Sequence, residues 1–311
     1  MAKCKICRVD FATDKEFNSH LRSHSLRQAE YYQEYEPRRD LFDDSIIKFK
    51  NKDQYLSADF NSKINLKKWL ADLTKEESAK YCKDILEKRK EKKNLVYSPT
   101  QVELRSIMIP PVSYLNGLFG GYYEACEIMG FKNKYQYPSG RMVYGSSYGE
   151  DYKIYIDTRE QKPLSFKRKS EIKTLKFGDY SFSCDKSTCN CYIERKSISD
   201  LIGTLSGGFE RFCREIERAW AAEANLIVLV EESLDNCLKF NELSSVYKKQ
   251  TRVTPDYIFR NVRDIIQKYP FVQFLFVHGR DVAAETVEKL FTCGCGYKKI
   301  DLQLAYDLKL L

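Results

Sequence analysis

The sequence predicts an α/β fold with a mixed sheet over residues 151–311, preceded by two smaller units. Over residues 152–291, short apolar segments of strand length alternate with segments of helical periodicity, a pattern typical of α/β layers. A regular spacing of Cys and His occurs in the first 24 residues, and Pro and Gly divide residues 98–131 into three short helices. The composition, 43% hydrophobic and 31% charged, is sufficient for a packed core.

The elements of the α/β region follow from the same patterns. Strands are predicted at 152–158, on both sides of a glycine turn within 172–182, and at 191–196, 225–232 and 271–277. Helical segments are predicted at 200–224, with an interruption at Gly207-Gly208, and at 254–269 and 281–291. The whole chain is predicted to divide into a Cys/His unit at 1–27, a charged helical region at 28–95, a small helical module at 96–133, a linker rich in Gly, Ser and Tyr at 134–150, and the α/β domain at 151–311.

Composition also narrows the class of protein. No segment approaches the about 20 apolar residues of a membrane span, and no secretory leader pattern opens the chain. An odd count of 11 cysteines argues against a disulfide framework, so we expect an intracellular protein, of the nucleus or of a viral or prokaryotic cytoplasm. The net charge of +8 is compatible with a polyanionic partner without proving one.

The first 24 residues have the spacing of a metal site, Cys4-x2-Cys7-x12-His20-x3-His24. Two thiolates on a short hairpin and two imidazoles one helical turn apart can complete a tetrahedron around Zn²⁺. So small a unit has almost no core without a metal. The spacing therefore predicts zinc as a cofactor of this unit.

This unit resembles a two-Cys two-His zinc finger at every signature position. The resemblance implies contact with nucleic acid through the helix, which offers Lys15, Asn18 and Arg22. The alternative is a finger that contacts protein or acts as a stable cap.

Residues 98–131 resemble the homing-endonuclease-associated repeat, a small helical DNA-binding module. The matching residues are Pro110, Tyr114, Phe119, Gly120, Ala125 and Gly130. Tyr122 and Tyr123 stand where that family has an aromatic residue, usually Trp. A generic helical linker domain is the alternative for this segment.

Four residues of the α/β region are predicted to converge at one edge of the sheet. Glu194 and Lys196 are two positions apart in a strand, so their side chains share a face. Asp179 follows a glycine turn, and a hairpin between the next two strands would bring it back near them. Asp157 ends another central strand. Three carboxylates so close repel one another unless a cation lies between them, and oxygen ligands suit Mg²⁺ or Mn²⁺. The set therefore predicts metal-dependent hydrolysis of a phosphodiester.

Two motifs also carry a resemblance to a known family. Phe177-Gly178-Asp179-Tyr180 and Glu194-Arg195-Lys196-x3-Asp200 resemble the GD…ERKxxxD signature of the XPF family of structure-specific DNA endonucleases, and the likeness extends over about residues 152–292. The resemblance implies a restriction-endonuclease-like nuclease domain. It implies magnesium ligands at Asp157, Asp179 and Glu194, a catalytic lysine at Lys196, and further active-site residues at Arg159, Arg195 and Asp200.

The residues themselves leave three of these roles open. The strand period turns Arg195 to the opposite face from Glu194. Asp200 also fits an acid in the first turn of a helix capped by Ser197, and Arg159 could pair with a neighbouring acid.

The sequence thus predicts a metal-dependent DNA endonuclease that acts on branched or flap DNA, with DNA as partner and a homodimer or heterodimer possible through the nuclease domain. The tandem helix-hairpin-helix module that follows this domain in the XPF family is not recognised here, so we expect the finger and the 98–131 module to bind DNA instead. A mobile-element or homing-type nuclease that selects a site is the alternative. A non-catalytic DNA-binding scaffold is a third, disfavoured because every acid and lysine of the motif is present.

Five cysteines leave a second zinc site as an open alternative to reduced thiols, which we favour: Cys184, Cys189, Cys191, Cys293 and Cys295.

Overall fold

The structure, a computed structural model, describes residues 2–35, 37, 74–107, 120–140, 152–183, 190–242 and 253–311. Contacts divide the chain into two units. One comprises Met1–Asn94 with Ser113–Gly121, and the other comprises Leu95–Val112 with Tyr122–Leu311.

The described part of the first unit is a small hairpin followed by helices. Strands β1 (Ala2–Lys3) and β2 (Asp10–Phe11) pair antiparallel, and the helices are α1 (Asp14–His20), continued by a 3₁₀ turn at Leu21–His24, α2 (Gln28–Tyr35) and α3 (Lys75–Lys93). Helix α1 begins at Thr13, whose hydroxyl accepts from the Glu16 amide while the Glu16 carboxylate accepts from the Thr13 amide. Such reciprocal capping satisfies two amides that have no partner within the helix.

The second unit is built on a six-stranded mixed sheet. Its strands are β3 (Ile154–Asp157), β4 (Ser170–Lys173), β5 (Tyr180–Phe182), β6 (Cys191–Lys196), β7 (Asn225–Val230) and β8 (Val272–Phe276), in the order β4-β3-β5-β6-β7-β8. Strand β5 runs antiparallel to both of its neighbours, and the other pairs are parallel. The predicted mixed-sheet α/β fold is confirmed.

Helices cover both faces of this sheet. They are α4 (Gln101–Ile107), α5 (Tyr122–Ile128), α6 (Ile198–Leu205), α7 (Phe209–Ala221), α8 (Leu234–Cys237), α9 (Pro255–Lys268), α10 (Arg280–Thr292) and α11 (Leu302–Asp307). In β7, Leu226, Val228 and Val230 pack with α6, α7 and α9, whereas Ile227 and Leu229 pack with α10 and α11. Alternate side chains of a strand point to opposite faces, so a strand buried on both faces reads as a continuous apolar run.

Strands β4 and β5, which flank the predicted glycine turn, are consecutive in sequence but are not neighbours in the sheet. Strand β4 is the exposed edge and pairs with β3, so β3 lies between β4 and β5. The connection at 174–179 therefore crosses the end of β3. This crossing brings Asp179 to the carboxyl end of that strand, where Asp157 lies.

Helix α4, in the segment before the sheet, is held by contacts with α8 and with the residues at both ends of α11. Arg105 of α4 forms ion pairs of 2.8 Å with Asp235 and Asp307, and the Gln101 amide donates to Asp301 at 2.7 Å. The residues that suggested a DNA-binding repeat fall partly outside the described residues, including Pro110, Tyr114 and Phe119. The domain boundaries and the role of this module remain predictions. No helix in the described ranges combines the length and the apolar character that crossing a bilayer requires.

Candidate functional site

Asp157, Asp179, Glu194 and Lys196 all line one cleft of about 340 Å³. Asp157 ends β3, Glu194 and Lys196 end β6, and Asp179 immediately precedes β5. The backbone of Asp179 bridges β3 and β6, the strands on either side of β5, because its carbonyl accepts from the Asp157 amide at 2.8 Å and its amide donates to the Ile193 carbonyl at 2.7 Å. The antiparallel pairing of β5 with both neighbours thus brings the three acids and the lysine together.

Asp157 is a buried carboxylate with both oxygens engaged, and the residue is only 2% exposed. Its Oδ1 accepts from the Arg159 amide at 2.9 Å and from Arg159 Nε at 2.6 Å, while its Oδ2 accepts from the Leu175 amide at 2.7 Å. Burial alone would raise the pKa of Asp157, but these hydrogen bonds outweigh it and lower the pKa below its usual value. Asp157 therefore carries a stable negative charge at the centre of the cleft.

At Asp179, unlike at Asp157, burial outweighs hydrogen bonding in setting the pKa. Burial, together with the negative charge of Glu194, raises the pKa of Asp179 to about 7, against the hydrogen bond that its Oδ2 accepts from the Arg195 amide at 2.7 Å. The charged form of Asp179 is thus unfavourable unless a cation lies beside it.

Glu194 and Lys196 form an ion pair on one face of β6, with side chains only 18% and 16% exposed. They share that face, as the strand period predicts. The Lys196 ammonium also lies 5.9 Å from the centroid of the Phe212 ring. The lysine is therefore held beside the acids.

The cleft offers carboxylate oxygens, the type of ligand that hard divalent cations bind. Among the described residues, Asp179 Oδ1 and Glu194 Oε2 accept no hydrogen bond, and both residues line the cleft. Carboxylate oxygens are the ligands that Mg²⁺ and Mn²⁺ prefer, and the charge held at Asp157 adds to the attraction.

The other predicted site residues are placed differently. Arg159 lines the cleft and bonds Asp157. Asp200 lies in the first turn of α6, where its carboxylate accepts from the Ser197 hydroxyl at 2.7 Å, and it does not line the cleft. Arg195 points away from the cleft, as the strand period predicts.

Arg195 is the centre of a largely buried network behind the cleft. Its guanidinium donates to both oxygens of Glu160, at 2.9 and 3.0 Å, and to Glu231 at 3.1 Å. Arg280 binds the other oxygen of Glu231 at 3.0 Å. Although burial acts to raise the pKa of Glu160, the Arg195 hydrogen bond holds it below its usual value. The network joins the ends of β3, β6 and β7 to the start of α10.

Sequence reasoning missed the part of the cleft contributed by α7 and by the β4–β5 connection. Lys176, Arg211, Glu215 and Arg218 line it. The last three recur at helical spacing next to the apolar positions of α7, and this periodicity was a usable signal. Glu160 was also missed, since nothing in the sequence pairs it with Arg195.

Residues 156–290 match the model of a known family, described as the ERCC4 domain. This region is an ERCC4 domain. The predicted resemblance to the XPF family is confirmed by this match.

Two solved structures align with part of this chain. XPF from Aeropyrum pernix in complex with DNA aligns at 19% identity with a TM-score of 0.34, covering 44% of this chain and 62% of that one. A second structure of XPF from Aeropyrum pernix aligns at 19% identity with a TM-score of 0.33, covering 44% of this chain and 63% of that one. The chain thus spans less than two thirds of either structure. No curated protein matches the sequence.

Gly178 explains how the ERCC4 domain brings Asp179 so close to β6. Its φ is +60°, and a Cβ at this position would lie 2.7 Å from the Ile193 carbonyl oxygen. Only glycine adopts this conformation without strain, and only glycine leaves room for the backbone of Ile193.

We expect Gly178→Ala to destabilise the ERCC4 domain by about 2–4 kcal/mol, from left-handed backbone strain and the clash with Ile193. Urea unfolding of the full chain measures this. Gly203→Ala is the matched control, because Gly203 lies within α6 with no atom within 4 Å of its Cβ position. That change should be neutral or stabilise the domain by about 0.5–1 kcal/mol. Equal effects of the two changes would contradict the close-approach argument.

The predicted metal residues of the first unit also converge. The Cys4 Sγ lies 3.5 Å from His24 Nε2, the Cys7 Sγ lies 3.1 Å from His20 Nε2, and the two Nε2 atoms are 3.1 Å apart. The four ligand atoms all lie within 4.8 Å of one another. Two sulfur and two nitrogen donors so arranged fit a tetrahedral metal site.

The helix of this unit presents part of the predicted nucleic-acid face to solvent. Lys15 and Arg22 are exposed and Asn18 is half-buried. On the other side, Tyr31 of α2 is buried against Phe17, with ring centroids 5.2 Å apart. Helix α2 thus enlarges the core of the unit without covering Lys15 or Arg22.

The cysteines weighed for a second zinc site are only partly described. Cys191 and Cys293 are buried, and burial raises the pKa of Cys191 to about 12 and that of Cys293 to about 11. Cys184 and Cys189, and the side chain of Cys295, lie outside the described residues. Buried thiols of this kind stay protonated, as we expect for reduced cysteines.

Proposed function

We propose that this protein is a metal-dependent DNA endonuclease that hydrolyses phosphodiester bonds in branched or flap DNA. The observation that carries the proposal is the cleft in which Asp157, Asp179, Glu194 and Lys196 meet. The ERCC4 domain match supports a nuclease, and the carboxylate donors support Mg²⁺ or Mn²⁺ as the cofactor.

In this proposal the chain's residues prepare the cleft for a phosphate. Asp179 and Glu194 hold the cation, and Asp157, with its two oxygens fixed by Arg159 and Leu175, keeps the local charge negative enough to retain it. A bound divalent cation supplies a water of lowered pKa and neutralises charge on the phosphate. Lys196 donates hydrogen bonds to the phosphate oxygen on which charge develops. Water adds to phosphorus, one P–O ester bond breaks, and the departing oxygen gains a proton.

A cleavage panel tests the function. Wild-type protein and Asp179→Asn are incubated with flap, fork, linear duplex and single-stranded DNA, and with RNA of the same sequences, each with and without Mg²⁺ or Mn²⁺. We expect metal-dependent cutting of flap or fork DNA by the wild type and none by the variant. Cutting by Asp179→Asn at the wild-type rate, or cutting of RNA in preference to DNA, would overturn the proposal.

A site-selective endonuclease is the second candidate, and the exposure of Lys15 and Arg22 on the finger helix favours it. A library of linear duplexes with randomised sequence discriminates the two. Cutting at one sequence without regard to branching would replace the branched-DNA proposal. Random cutting confined to branch points would remove the site-selective one.

We also propose that Cys4, Cys7, His20 and His24 bind one zinc ion that stabilises residues 2–35. We expect Cys7→Ser to lose the zinc and with it the hydrogen-exchange protection of this segment, because its core contains few residues. Zinc content by mass spectrometry and exchange rates by NMR measure this. Cys213→Ser, on the partly exposed face of α7, is the matched control and should keep both. Full protection in Cys7→Ser without metal would contradict the proposal.

A further inference from the structure

One face of helix α7 carries a row of charged side chains whose role the proposed chemistry does not explain. Phe212, Ile216 and Ala219 are buried and pack the helix against the sheet. Arg211, Glu215 and Arg218 each precede one of these positions, so they lie together about 100° around the helix from the buried stripe. All three line the cleft.

The arginines of this row are available to a ligand. The Arg211 side chain is 73% exposed, and the one ion pair that it forms with a described residue, Glu215, is long at 3.9 Å. Such an exposed pair contributes little, so it gives way easily to a stronger anion. Arg218 is exposed and has no ion pair among the residues that the structure describes.

The position of the two arginines matches a nucleic-acid backbone. They are seven residues apart, which separates them by about 10 Å along the helix. A DNA strand advances about 3.4 Å per nucleotide, so this span corresponds to about three nucleotides. Lys176 adds a further exposed cation to the same cleft from the β4–β5 connection.

We propose that Arg211 and Arg218 of α7 bind phosphates of the strand that enters the cleft, and that they act as binding and positioning residues. This rests on the proposed nuclease function for the identity of the ligand as DNA. Guanidinium groups bind phosphate in a planar, two-point geometry and carry no preference for base. The contacts therefore hold the strand in place over the acids without selecting a sequence.

Arg214 is a matched control on the same helix. It is exposed like the other two, but it does not line the cleft. Each Arg→Gln substitution removes one positive charge. Comparing the double variant Arg211→Gln/Arg218→Gln with Arg214→Gln therefore separates a contact in the cleft from a general loss of positive charge.

Binding is measured first, on the full chain carrying Asp179→Asn, with fluorescent flap DNA at several salt concentrations. Each lost phosphate contact reduces the slope of log K against log salt by about 1, so we expect a reduction of about 2 in the double variant and less than about 1 for Arg214→Gln. The weakening should be the same for substrates of unrelated sequence. Melting temperatures of all variants establish that they are folded.

Cleavage is measured second, with Asp179 intact. We expect Arg211→Gln/Arg218→Gln to raise KM by about tenfold or more while kcat changes by less than about threefold. An unchanged slope and KM in the double variant would overturn the inference and leave the nuclease function standing. An effect of Arg214→Gln as large as that of the double variant would also overturn it, because the loss of affinity would then not depend on contacts in the cleft. A changed slope with no cleavage of any DNA by the wild-type chain would support the binding site and overturn the nuclease function.

Discussion

Replacing Arg195 with methionine is expected to destabilise the ERCC4 domain by about 3–5 kcal/mol, because it removes the ionic partner of the buried Glu160 carboxylate, whereas Glu231 keeps its ion pair with Arg280. Glu160 and Glu231 are only 5% and 12% exposed, and Arg195 binds both. Methionine fills much of the volume, so loss of packing is a minor part of the effect. Unfolding in urea, followed by circular dichroism, measures the change.

An exposed ion pair on the same domain provides the control. Lys167 and Glu285 are 3.1 Å apart but 80% and 56% exposed, so Lys167→Met should change stability by less than about 0.5 kcal/mol. Adding Glu160→Gln to the Arg195→Met variant should restore part of its loss, since one uncompensated carboxylate is removed. If Arg195→Met unfolds like Lys167→Met, the network does not hold the strand ends together.

We expect Lys196→Met and Glu194→Gln each to reduce kcat for DNA cleavage by about 10²–10³-fold while the domain stays folded. Lys196 lines the cleft and pairs with Glu194, so its loss removes stabilisation of the charge that develops on the phosphate. Glu194→Gln keeps the shape of the side chain but removes a charge that attracts the cation. Single-turnover cleavage rates at saturating enzyme measure the effect on chemistry.

A second Lys–Glu pair on the same sheet serves as the matched control. Lys153, just before β3, and Glu171, in the edge strand β4, are 3.5 Å apart, more than half exposed, and outside the cleft. Lys153→Met and Glu171→Gln should therefore cleave at the wild-type rate. A mild effect of Lys196→Met with a strong effect of Lys153→Met would place the chemistry elsewhere.

Patterns between residues close together in sequence predicted much of the fold and of the candidate site. The alternation of apolar strands and helices indicated an α/β fold, and the period of two placed Glu194 and Lys196 on one face, away from Arg195. The Cys and His spacing predicted the cluster that the structure contains. Each of these follows from positions close together in sequence, where the geometry of one helix, one strand or one short hairpin decides which side chains meet.

Other features depend on how distant segments pack. No local pattern pairs Glu160 with Arg195, which is 35 residues away, or places α7 so that Arg211 and Arg218 line the same cleft as the acids. The order of the strands likewise puts β3 between β4 and β5.

The sequence by itself therefore determined the class of fold, the set of acids and lysine predicted to meet, and the spacing of the Cys and His residues, because these depend on local periodicity. Only the tertiary structure decided which charges are compensated, which carboxylate oxygens remain open to a ligand, and which cations border the cleft. Those properties arise from burial and from contacts between strands and helices that are remote along the chain.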